Sequence, residues 1–111
     1  MSLESENIQS VYSELAHNIE SEHPGEDRIK ELYRRIAGLR VIEFEEADSD
    51  RARSIIGLDI VQMYNLSGDQ DLVLEIGTSL LDSINMSSYV RDEIFSEMAE
   101  AQESLGEILI N

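Results

Sequence analysis

The chain has no cysteine and no tryptophan, one proline, and eight Lys and Arg against twenty-four Asp and Glu. Without cysteine there can be no disulfide, no thiolate metal site and no thiol nucleophile. With four Tyr and two Phe, a core has to be assembled from Leu, Ile, Val and Met. No apolar run reaches the roughly eighteen residues that a membrane-spanning helix needs. Residues 1–6 (MSLESE) carry neither a basic region nor an apolar stretch, so no signal peptide is expected and a cytoplasmic location is.

What is present is acid and aliphatic carbon. The net charge is −16 over 111 residues, and 41% of residues are hydrophobic. That balance suits a folded domain better than a disordered acidic tail, and the length suits one core, so residues 1–111 are read as a single acidic helical domain. The charge is uneven. Residues 1–27 hold seven acids and no Lys or Arg, residues 28–53 hold seven bases against six acids, and residues 54–111 hold eleven acids against Arg91 alone. Such a field repels phosphate backbones and anionic lipid surfaces, so neither nucleic acid nor membrane is an expected partner.

Apolar residues recur with the helical period along almost the whole chain. Ile8, Val11, Tyr12, Leu15 and Ile19 form the stripe of a first helix, from about residue 3 to 22, which His23-Pro24-Gly25 ends. Ile29, Leu32, Tyr33, Ile36 and Leu39 mark a second. Beyond Gly38 its pattern slips: Arg40 and Glu43 fall on the stripe, while Val41, Ile42 and Phe44 leave it. The helix kinks there, its tail turns to a different neighbour, or a short strand runs through residues 39–44. The third helix, about residues 50–66, is apolar around most of its circumference, as a helix contacted on several sides should be. Either other helices of the same chain or a second copy, in a homodimer, would cover it. Ser67 and Gln70 stand at capping-box spacing before the fourth helix, and the fifth, about residues 88–109, turns Val90, Ile94, Met98, Ala101, Leu105 and Ile108 inward. Short connections make consecutive helices antiparallel. The expected fold is all-α, a five-helix antiparallel bundle or a short stack of helical hairpins.

Chemistry-bearing patterns are few. Glu14-x-x-His17 and Glu20-x-x-His23 resemble the ligand spacing of di-iron carboxylate bundles, a chemistry that needs such pairs on two helices; here both lie on one, and no metal site is assigned. Glu43-x-x-Glu46 is similar to the first half of the carboxylate motif of all-α nucleotide pyrophosphatases, which hold magnesium with a second acidic pair one helix later. Glu97-x-x-Glu100 comes much farther along. No phosphate loop, nucleophile elbow or Cys/His arrangement occurs, so no catalytic residue and no cofactor is assigned.

Two features stand out instead. Asp59 falls within the apolar arc of the third helix, where an unpaired carboxylate is costly. It has no base three or four residues away, and Arg40, misplaced on the apolar stripe of the second helix, is its natural partner in a buried structural pair. The fifth helix sets Glu93, Glu97, Glu100 and Glu107 along one flank of its apolar seam, with no base after Arg91 to offset them. Like charges one turn apart destabilise a helix slightly. This flank is the candidate surface for a partner protein with a basic face.

Tyr64 followed four residues later by Gly68, with Gly77 in the next helix, resembles the hairpin of a tetratricopeptide repeat over about a third of the chain. Val73 and Leu80 depart from that pattern, where alanine is usual, and no second repeat appears at a fixed period. The resemblance implies a peptide- or protein-binding groove. The functional expectation is a non-enzymatic interaction module, an adaptor, chaperone or regulatory subunit. One alternative is an acidic decoy of nucleic acid that occupies a DNA- or RNA-binding protein. The other is a magnesium-dependent nucleotide hydrolase built on Glu43 and Glu46.

Overall fold

The computed structural model describes residues 8–21 and 25–110, with side chains to residue 106. Five α-helices follow one another: α1 (Ile8–Glu20), α2 (Glu26–Glu46), α3 (Asp50–Leu66), α4 (Gln70–Ser83) and α5 (Ser88–Ile110). Each helix packs on its sequence neighbour, and α3 also packs on α5. The bundle is thereby laid out as a stack of hairpins. It measures 42 × 40 × 22 Å, and its short dimension is that of two helices at about 10 Å each.

Side-chain pairs fix the directions. Arg34 reaches Asp69 and Arg40 reaches Asp59, so α2 and α3 are antiparallel. Asn65 donates to Glu97 at 3.2 Å, and Leu58 and Val90 line the same groove one end away. The same offset of 32 residues in both pairs relates α3 to α5, which therefore run parallel, while α4 lies antiparallel against both.

The core is built in two clusters. Val11, Leu15, Leu32 and Ile36 form one, joined by Tyr12, Ile29, Tyr33, Leu39 and Met63. Val61, Val73, Leu80, Ile84, Val90, Ile94 and Ala101 form the other, with Phe44, Leu58, Tyr64 and Met98 against it. This explains the slipped pattern after Gly38. The helix neither breaks nor becomes a strand; α2 is continuous to Glu46. Its first half faces α1, with Leu39 in the first cluster, and its tail carries Phe44 into the second. A stripe that changes neighbours shifts around the helix.

The connections are short because their ends are satisfied locally. Ser49 Oγ accepts from the Ala52 amide at 3.1 Å and caps α3. At the other end Gly68 adopts a left-handed conformation, φ 86°, which an L side chain resists. The capping box expected from Ser67 and Gln70 is not formed. Ser67 is instead the buried C-cap of α3, and Asp69 stands at the N-cap of α4 without a side-chain cap bond. The competing interaction is stronger: the Asp69 carboxylate takes a fork from Arg34, Nε at 2.8 Å and Nη2 at 3.2 Å, and a hydrogen bond from Ser67 Oγ. Arg34 holds the Asp69 carboxyl below the usual carboxylate range, with Ser67 adding to the effect and burial opposing it.

Candidate functional site

The faces of α3 and α5 turned away from α4 leave an open groove between two parallel helices. At its first end lie Ile55 and Leu58 of α3, Met86 of the α4–α5 connection, and Tyr89 and Val90 of α5, around a hollow of about 710 Å³. The hollow is shallow, and its walls stand out of the surface: Ile55 is 55% and Tyr89 70% exposed. Asp50 and Arg51 sit at its rim.

Toward the other end the lining changes character. Gln62, Met63, Asn65 and Leu66 of α3 face Glu97 and Glu100 of α5 around a second hollow of about 330 Å³. Glu93 lies one helical turn before Glu97, so Tyr89, Glu93, Glu97 and Glu100 follow one flank of α5 at helical spacing. The groove thus runs from an apolar end to an acidic end.

Its negative charge has little to oppose it. The ion pairs of the described residues join Arg28 and Arg35 to Glu14, Arg28 to Glu31, Arg34 to Asp69, Arg40 to Glu43 and Asp59, and Arg53 to Asp50. Among them, none involves a carboxylate of α5. The C-terminal end of α3, at Leu66, has no basic residue in its last turn, so the negative end of its dipole lies beside Glu97 and Glu100 and adds to their field.

Of the four candidate glutamates, Glu97 is partly engaged through Asn65, Glu93 is half-buried and Glu100 is exposed. The Glu107 side chain lies outside the described residues, as does His23. The sequence did not single out the apolar half, Ile55, Met86 and Tyr89. Their only signal was an unusually wide apolar arc on α3 and an aromatic residue just inside the start of α5.

Arg40 and Asp59 meet at the other side of α3. Arg40 Nε lies 2.7 Å from Asp59 Oδ2, and the two side chains keep 27% and 28% of their surface exposed. The pair is therefore half-buried at the edge of the core. The carboxylate sits off the N–H axis, leaving Nε without a formed hydrogen bond. The Arg40 charge is secured all the same. Burial works against it but is outweighed by the Glu43 carboxylate at 2.8 Å, the Tyr12 hydroxyl and Asp59, and the guanidinium pKa is raised.

The remaining carboxylate motifs are dispersed. Glu43 is bridged to Arg40, Glu46 is exposed at the end of α2, and Glu14 is held by Arg28 and Arg35. His17 is exposed on α1. Among the described residues no three His, Asp or Glu side chains converge as a metal would require. No helix among the described residues is long and apolar enough to cross a membrane. No family model matches the sequence, and no curated protein or solved structure is similar to it.

Proposed function

We propose that this chain is a non-enzymatic protein-interaction module, of the adaptor, chaperone or regulatory-subunit kind, and that it engages another protein through the α3/α5 groove. The observation that carries this reading is the juxtaposition along one pair of helices of exposed apolar side chains, Ile55 and Tyr89, with the carboxylates of Glu97 and Glu100. Interfaces place aromatic and aliphatic anchors in partly formed hollows and surround them with polar groups. A tyrosine left 70% exposed beside Met86 and Leu58 has that form. The acids of α5 face Met63, Asn65 and Leu66 of α3 across the hollow, which suits a mixed apolar and basic partner surface better than one that binds a phosphate backbone.

The test compares affinity capture from native lysate by the wild-type chain, an Ile55→Asp/Tyr89→Asp variant and an Ile42→Asp control. Ile42 is equally exposed, 52%, but lies on α2. The groove variant is expected to lose the captured protein while the control keeps it, with both variants melting near the wild type. Capture should also weaken as salt rises, because exposed charges are screened beyond about 10 Å at 0.1 M. Equal capture by all three chains would remove the groove from the interaction.

A further inference from the structure

We infer that the occupant of the groove is a basic amphipathic helix of another protein, seated with its apolar residues over Ile55, Leu58 and Tyr89 and its Lys or Arg residues over Glu93, Glu97 and Glu100. This rests on the interaction-module reading and names the partner's chemistry. Three observations lead to it.

The first is shape. The walls are two parallel helices, so the space between them has the geometry of a missing third helix. Helices pack in this way throughout the molecule: α4 fills the equivalent space on the opposite face of α3 and α5. From Tyr89 to Glu97 is eight residues, about 12 Å along the helix axis at 1.5 Å per residue. A docked helix would need anchors about two turns before its basic residues, a spacing that a single amphipathic face provides.

The second is charge. Arg51 is the base on the lining and it lies at the apolar rim, so the carboxylates at the far end face the occupant without an internal counter-charge. Bringing them under an uncharged helix would desolvate them without compensation, whereas ammonium or guanidinium groups would offset that cost.

The third is exclusion of the occupants closest to hand. Face-to-face docking of a second copy would set Glu93, Glu97 and Glu100 against their own equivalents in parallel alignment, or over the apolar end of the other copy in antiparallel alignment. Either way it would bring together two chains of net charge −16 with no cluster of bases to receive the carboxylates. Nor does the sequence hold a basic segment to fold back. Its bases lie between residues 28 and 53, on α2 and at the start of α3, apart from Arg91.

The experiment uses the full chain and synthetic helix-forming peptides of about 15 residues, long enough to span the groove. One peptide carries Leu anchors with Lys two turns on along the same face, a second has the same composition scrambled, and a third carries Glu in place of Lys. Binding is read by fluorescence anisotropy, and the site by amide chemical-shift changes. The first peptide is expected to bind at least about tenfold tighter than the scrambled one, since anchoring depends on a few well-placed side chains. It should gain helicity on binding and shift the amides of residues 54–66 and 86–100. Tyr89→Ala should weaken it by about tenfold. A Glu93→Gln/Glu97→Gln/Glu100→Gln variant should weaken it and flatten its salt dependence. Equal affinity for the scrambled peptide, shifts centred on α1 or α2, or no binding would overturn the assignment of the occupant. If the peptide fails while the lysate capture still depends on Ile55 and Tyr89, the groove binds a partner of other chemistry. If the capture fails as well, the module reading falls with it.

Discussion

Two glycines sit at close helix crossings, and the structure predicts different outcomes for the same substitution at each. A Cβ added at Gly57 of α3 would stand 2.8 and 2.9 Å from the two methyls of Leu80 on α4. A Cβ at Gly77 of α4 would stand 2.7 and 2.8 Å from Sδ and Cγ of Met98 on α5. The distances are alike but the neighbours are not. Leu80 is 5% exposed and part of the second core cluster, and both of its methyls would meet the added carbon at once, so relief requires the whole branched end to rotate. Met98 is half-buried, unbranched and rich in rotamers, so its sulfur can retreat. Alanine in place of glycine within a helix gains up to about 1 kcal/mol of propensity, whereas overpacking a tight core costs about 1–3 kcal/mol. Gly57→Ala should therefore destabilise the protein by about 1–2 kcal/mol, and Gly77→Ala should fall within about 0.5 kcal/mol of wild type. Urea titration followed by far-ultraviolet circular dichroism measures both, provided the m-values stay constant. A Leu80→Ala change should cost less in the Gly57→Ala background than in wild type, because the added methyl fills part of the space it opens. Equal ΔΔG at the two glycines, or a Gly57→Ala protein as stable as wild type, would refute the reasoning.

Three further expectations concern the core and its charged ties. Asp69 titrates lower in the folded chain because Arg34 and Ser67 bind its ionised form. Its contribution is therefore fully present above the unfolded carboxyl pKa and lost as pH falls through the lower folded one. The stability gap between wild type and Asp69→Asn should be constant from neutrality to about pH 5 and narrow in stronger acid; a gap that stays constant as the pH falls further would contradict this. Leu32 and Ile94 are both fully buried, one in each cluster, and truncating either to alanine should cost about 3 kcal/mol. Because α2 and α3 contribute to both clusters, either variant should still unfold in one transition, and two separated transitions by tyrosine fluorescence and circular dichroism would show that the clusters are independent. Asp59→Asn should cost about 1 kcal/mol by the same titration, since Arg40 keeps Glu43 and Tyr12 as partners and solvent screens a pair about a quarter exposed.

The helices were legible in the sequence because their signals are local. The period of Ile29, Leu32, Tyr33 and Ile36, the Ser49 cap and the Pro24-Gly25 break each act within a turn or two of chain. The slip at Arg40 was legible as an anomaly, but its cause was not, since a helix passing from one core cluster to another is a fact about neighbours. The failed capping box has the same origin. Ser67 and Gln70 have the required spacing, but Arg34, thirty-five residues from Asp69, draws that carboxylate toward α2 and redefines where α4 begins.

The groove is less legible still, and for a physical reason. Glu93, Glu97 and Glu100 can be read from α5 alone, because one helix sets their spacing. Ile55 and Tyr89 are remarkable only together, and they come together because α3 and α5 are held parallel by α4, which packs Leu80 against Gly57 and Gly77 against Met98. The two glycines thus do more than relieve crowding: they let α4 approach both helices closely and set how wide the opposite face of the pair stands open. An alanine at Gly57 that wedged α3 away from α4 would alter the groove from behind without touching any residue that lines it. If the groove binds a helix, Gly57→Ala should weaken peptide binding by more than its effect on global unfolding accounts for at a temperature where the protein stays folded. Gly77→Ala, absorbed by Met98, should leave that affinity unchanged.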